Sequence, residues 1–158
     1  MSAYYITQEG YIKLKNDLDN MKNVERPKII SALASSRALG DLRENAEYHA
    51  AKQRQSYIES QILYLEDLYQ KAIVIDSSQF ENDIVKFGAK VKLLNIENDK
   101  ILYFNIVGQY EADLSKGYVS VESPIGISLI GKKVGDVIEV PAPRGSVSYE
   151  VLSIEFNQ

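Results

Sequence analysis

Along the first half of the chain, apolar residues recur every three or four positions. Tyr11, Leu14, Leu18 and Met21 form a narrow stripe of coiled-coil type, and Thr7 is placed to cap its start. Pro27 interrupts the pattern. A proline in a helix interior costs ~3 kcal/mol and kinks or breaks the helix. The stripe resumes with Ile30, Leu33 and Ala34, which predicts a kink or a restart, and Gly40 closes the segment. A second stripe follows at once through Glu44, Tyr48, Ala51, Gln55, Ile58, Ile62, Leu65, Tyr69 and Ala72. So short a connection makes the two helices antiparallel. At 1.5 Å per residue, ~30 residues per helix give an arm ~45 Å long, apolar at its base and charged at its tip.

The period then changes. Residues 84–96 are rich in Val, Leu and Lys and read as a strand. Glu97-Asn98-Asp99-Lys100 is turn chemistry, and residues 101–107 form a second apolar run. Residues 118–121 predict a third strand. Ser123 as N-cap and Pro124 at the first helical position open a short helix that Gly131 ends. Residues 137–140 and 147–156 predict two more strands, separated by a turn over 141–145. The fold class is therefore α+β: an N-terminal antiparallel helical hairpin over residues 1–76, and a C-terminal, mostly antiparallel sheet with one short helix over 77–158. The linker is placed in the polar stretch 76–83.

Composition narrows the chemistry. The chain has 158 residues, 45% of them apolar and 25% charged, which is ordinary for a globular protein. It has no cysteine and a single histidine, His49, so thiolate and histidine-rich metal sites are excluded. The N-terminus shows no secretory signal pattern, and no apolar run reaches membrane-spanning length, so a cytoplasmic protein with no membrane partner is expected. Net charge is −4; basic and acidic residues number 10 and 11 up to Asp76, and 8 and 11 after it. Neither half carries the positive excess that drives general nucleic-acid binding, so any such contact must be local or mediated by a protein partner.

The segment Gly40-Asp41-Leu42-Arg43-Glu44-Asn45-Ala46-Glu47-Tyr48 admits two readings. Asp41 followed by Glu44 is a capping box, with both charges at the positive end of a helix dipole. Capping alone accounts for both residues. Alternatively, two carboxylates at the end of a long arm can share a hard cation such as Mg²⁺, which prefers oxygen ligands. They cannot complete its shell, so the remaining ligands belong to a partner. The readings are compatible, since a capped backbone aims the carboxylates.

Residues 40–55, GDLRENAEYHAAKQRQ, closely resemble the tip signature of the GreA/GreB family of bacterial transcript cleavage factors. The resemblance extends over nearly the whole chain. Thr7-Gln8-Glu9-Gly10 and Arg26-Pro27 look like the family's first helix. Ser123-Pro124-Ile125-Gly126 and Leu129-Ile130-Gly131-Lys132-Lys133-Val134-Gly135-Asp136 look like its C-terminal domain. The resemblance implies a coiled-coil domain followed by a domain similar in fold to FK506-binding proteins, without implying prolyl isomerase activity.

It implies further that the coiled coil enters the secondary channel of RNA polymerase. There Asp41 and Glu44 would help hold the polymerase's second catalytic Mg²⁺, and the polymerase would cut its backtracked RNA near the 3′ end. By the same resemblance Arg37 and Lys52 approach the nascent RNA 3′ end, Asn45 and Tyr48 support the tip, and Ser123, Pro124, Ile125 and Gly126 lie on the polymerase-docking surface. One departure is that Ile127 and Ser128 stand where a basic and a small residue are expected. The chain is expected to have no catalytic cycle and no cofactor of its own, and to be monomeric. A related polymerase inhibitor is the alternative. A coiled-coil chaperone or scaffold fits less well, because such a tip should be apolar.

Overall fold

The structure, a computed structural model, describes residues 3–38, 40 and 45–156. By its internal contacts the chain divides into a helical unit, Tyr11–Ala72, and a sheet unit that joins Tyr4–Gly10 to Ile73–Gln158. The opening strand and the first turn of the first helix thus group with the sheet.

In the helical unit, α1 (Gln8–Asn20) runs through a π-helical turn, Met21–Glu25, into α2 (Arg26–Arg37), and α3 (Ala46–Lys71) returns. Pro27 explains the π turn. Proline has no N–H to give, and its ring crowds the carbonyl four residues back. A wider turn, with Arg26 N–H bonded to Met21 O, lets the helix pass without breaking. Beyond this turn Ile29 is buried while Ile30 is 53% exposed. The sequence pattern had selected Ile30 and Ala34; the inward set is Ile29, Leu33 and Ser36.

Opposite them α3 buries Ala51, Ile58, Ile62, Leu65 and Leu68. Each buried Leu or Ile contributes about 1.5–3 kcal/mol. Tyr69 is not in that set; it stacks on Tyr11 with ring centroids 5.1 Å apart. Cross-helix pairs confirm the antiparallel course: Tyr11 with Tyr69, Lys22 with Glu66 (3.3 Å), Arg26 with Glu59 (2.8 Å) and Glu25 with Arg54 (3.8 Å).

In the sheet unit, β1 (Tyr4–Thr7) and β2 (Ala72–Ile75) form a two-stranded ribbon that the sequence pattern did not reveal. The main sheet has five strands: β3 (Ala89–Asn95), β4 (Ile101–Val107), β5 (Tyr118–Ser120), β6 (Val137–Ala142) and β7 (Gly145–Phe156), in the order β5-β4-β3-β7-β6. All pairings are antiparallel except β4 with β5. The first strand starts at Ala89 rather than at 84. Val85 is buried, but its N–H and carbonyl bond Lys132 O and Gly131 N–H across the sheet end, and Gly88 at φ +89° turns the chain into the ladder. The β6–β7 turn is tighter than expected, with Ala142 paired to Gly145 and Pro141 admitted because β6 is an edge strand. Ala89, Val91, Leu93, Ile106, Val119, Leu129 and Val151 form the core, and α4 (Pro124–Leu129) lies over it.

Candidate functional site

The end of the helical hairpin is organised by Asn45. Its backbone is extended (φ −86°, ψ 98°), and its Oδ1 accepts the Tyr48 N–H at 3.0 Å. Its Nδ2 donates to the Ser36 carbonyl at the end of α2. Ser36 is 4% exposed and spends its own hydroxyl on Leu33 O. One amide therefore caps α3 and ties it to α2. This corrects the sequence reading, in which Asp41 and Glu44 cap the second helix: α3 begins at Ala46, and its cap is Asn45. Asp41 and Glu44 themselves lie outside the described residues.

The other candidates fall on both helices beside this clasp. Arg37 closes α2 and places its guanidinium 5.8 Å from the centre of the Tyr48 ring. Tyr48 is thus held at its backbone by Asn45 and covered at its ring by Arg37. Lys52 is exposed one turn further along α3, within 3.5 Å of Gln55 Oε1. Deeper in the hairpin, the hydrogen bond from Arg26 holds the Glu59 carboxyl below its usual range.

The donor set decides what this end can do with a metal. Asn45's oxygen is committed to Tyr48, Arg37 and Lys52 are cations, and Glu47 is the one carboxylate in the first turn of α3. Among the described residues, no group of three or more His, Cys, Asp or Glu is placed to hold a metal ion. Asp41 and Glu44 can add oxygens to a shell held elsewhere but cannot build one, since a hard cation takes six or more.

In the sheet unit, Ser123 Oγ accepts the Gly126 N–H at 3.1 Å and donates to Ser120 O at 2.6 Å. Pro124 takes the first helical position, and Ile125 packs on the core. A Cβ on Gly126 would meet Ser120 O at 2.1 Å, so only glycine lets α4 approach β5 this closely. The four residues build one tight strand-to-helix corner, remote in sequence from the hairpin clasp.

One constellation escaped the sequence reading. Glu111 accepts the Thr7 N–H at 3.0 Å, the Thr7 hydroxyl and, at 3.4 Å, the Gly108 N–H. Thr7 Oγ1 in turn caps α1 by accepting the Gly10 N–H. No local signal marks a carboxylate whose partner is 104 residues away.

Comparison with known proteins places both units in one class, transcription elongation factors. Residues 4–74 match the family described as "Transcription elongation factor, N-terminal", and residues 80–156 match "Transcription elongation factor, GreA/GreB, C-term". The proteins named "Transcription elongation factor GreA" from Acidiphilium cryptum and Rhodospirillum rubrum are 49% and 50% identical, each aligned over 99% of both chains. That of Rickettsia bellii is 44% identical over 100% of this chain and 98% of its own. Among solved structures, GreA factor homolog 1 of Thermus thermophilus is 25% identical over 97% of this chain and 99% of that one, with a TM-score of 0.45. The chain belongs to the GreA/GreB family of transcription elongation factors.

Proposed function

We propose that this chain binds RNA polymerase, inserts the end of its helical hairpin into the secondary channel and stimulates the polymerase to cut backtracked nascent RNA. The observation that carries the reading is the acidic pair Asp41 and Glu44, set next to the helix start that Asn45 clasps. A cap and a cross-helix hydrogen bond hold the start of α3 at Asn45, the residue after Glu44 in sequence, and groups held in place are the ones that accelerate reactions. Mg²⁺ held by the polymerase supplies activation of the attacking water and stabilisation of the leaving oxygen. Asp41 and Glu44 contribute negative charge and acceptor oxygens toward that ion. Arg37 and Lys52 offer cations on either side for the RNA backbone, with the Arg37 guanidinium beside the Tyr48 ring. Ser123, Pro124, Ile125 and Gly126 shape a corner of the surface that docks on the polymerase. The reaction belongs to the polymerase; this chain has no catalytic cycle of its own and acts as a monomer in the cytoplasm.

The test is a stalled, backtracked elongation complex supplied with wild-type chain, Asp41→Asn or Glu44→Gln, scored separately for binding and RNA cleavage. Both variants should bind as wild type and lose most stimulated cleavage. Undiminished cleavage by both sinks the role of the acids. Binding that slows cleavage by the wild-type chain favours the inhibitor.

A further inference from the structure

The core-facing side of β3 is Ala89, Val91 and Leu93; its other side carries Lys90 and Lys92 onto the open face of the sheet. Register sets their neighbours. Lys92 lies between Tyr103 on β4 and Ser153 on β7, and Lys90 between Asn105 and Glu155. Lys90, Lys92, Tyr103, Ser153 and Glu155 line a shallow cleft of about 330 Å³. Tyr103 is 52% exposed, so its ring is within reach of a ligand lying on this face. The Lys90 ammonium lies 5.4 Å from the centre of that ring. Neither lysine forms an ion pair among the described residues, although Glu155 shares the cleft, whereas Lys86 of the same unit pairs with Asp83.

We propose that this face binds single-stranded nucleic acid, with Tyr103 stacking a base and Lys90 and Lys92 taking flanking phosphates. Residues two apart on a strand present side chains about 7 Å apart, a spacing comparable to successive phosphates of an extended single strand. An exposed aromatic ring flanked by unpaired lysines on an open sheet suits bases that are already unstacked, and stacking tolerates any sequence. Asn105 and Ser153 add neutral hydrogen-bonding groups along the same rows. An acidic protein surface would satisfy the lysines but leave the ring without a partner. Glu155 keeps the local charge excess small, so the site selects a ligand offering both a π-face and negative charge, and binds it modestly. Nothing in this site depends on Asp41 or Glu44.

The experiment titrates the isotope-labelled full chain with an eight-nucleotide oligouridine and follows backbone amide resonances. Saturable shifts should centre on residues 90, 92 and 103. Two phosphate contacts at a slope of about −0.7 each weaken binding about sevenfold between 50 and 200 mM salt. In Lys90→Gln/Lys92→Gln that salt dependence should vanish at these resonances. Tyr103→Leu should weaken binding about tenfold, and Tyr103→Phe should restore it. Three results overturn the proposal: shifts confined to the hairpin or absent from the sheet face, affinity indifferent to the lysine pair, or equal saturation by oligoglutamate, which would identify a site for acidic protein. Unchanged resonances away from the face show that the variants are folded.

Discussion

The two units use their family-like motifs in opposite ways. In the sheet unit, Ser123-Pro124-Ile125-Gly126 is consumed by its own architecture. Ser123 satisfies a helix start, Ile125 packs on the core and Gly126 yields room to a carbonyl. At the hairpin end, among the described residues, Asn45 is consumed in this way, while Arg37 and Lys52 are exposed charges; Asp41 and Glu44 precede a helix whose N-cap is Asn45. A motif of the first kind should report on stability when mutated, and one of the second kind on function. The lesson is that similarity to a family signature does not reveal which kind a residue is; its hydrogen bonds do.

The largest effect expected from this contrast is functional. Asp41→Asn or Glu44→Gln should lower stimulated cleavage about 10²-fold or more, with the melting temperature within error of wild type, since Asn45 makes the cap. A clear loss of melting temperature would return these acids to a structural role. Next comes Gly126→Ala, whose methyl group collides with Ser120 O. Overpacking of this kind costs roughly 1–3 kcal/mol or more, readable as a lower denaturation midpoint for the sheet unit. An unchanged midpoint would show that the corner can relax.

Asn45→Ala should blur the distinction. Loss of an N-cap costs about 1 kcal/mol, and the loosened hairpin end should also reduce cleavage while polymerase binding holds. Full cleavage with reduced stability would detach the clasp from function.

The smallest effect separates the electrostatics of the two units. In the sheet unit the Ser115 hydroxyl first, and then its N–H, hold Asp113 below the usual carboxylate range, opposed by partial desolvation; Ser78 does the same for Asp76. In the helical unit Arg26 does so for Glu59. A depressed folded pKa means stability that is present above the unfolded value, near 4, and is lost as pH falls through the folded value. Acid unfolding below about pH 4 should therefore be softened by Ser115→Ala. The Glu59 contribution should fade with added salt, because it rests on an exposed ion pair, while that of Asp113 should persist. Equal salt sensitivity of both would break the contrast.

Much of this was legible in the chain. Leu14, Leu18 and Leu33 on one side of the hairpin, and Ile58, Ile62 and Leu65 on the other, fall on the two predicted stripes and are buried. Residues 101–107 are an apolar run opened by the turn residues 97–100, and they form β4 as expected. Ser123 declares a cap within three residues of the N–H it accepts. What escaped depended on distance or phase. β1 and β2 are four residues each and find one another across most of the helical unit. Glu111 meets Thr7 only in the folded chain, and of two adjacent isoleucines Ile29 turns inward where the pattern reading had selected Ile30. At the hairpin end the charged character was plain, but Asp41, Glu44 and Asn45 all have cap chemistry, and only the start of α3 at Ala46 distinguishes them.

The π turn at Met21–Glu25 also governs how this helix can change length during evolution. It holds one residue beyond what a regular helix would need to cover the same rise. Deleting one residue from 21–25 would return the turn to a regular helix and leave Leu14, Leu18 and Tyr11 facing α3. A second deletion would have no bulge to absorb it: it would turn everything upstream by about a quarter of a revolution, pulling Leu14 and Leu18 off the buried face and parting Tyr11 from Tyr69. The first helix can therefore lose one residue here, but not two. Relatives that lack the equivalent of Pro27 are the place to look for a helix that has lost the extra residue and kept its seam.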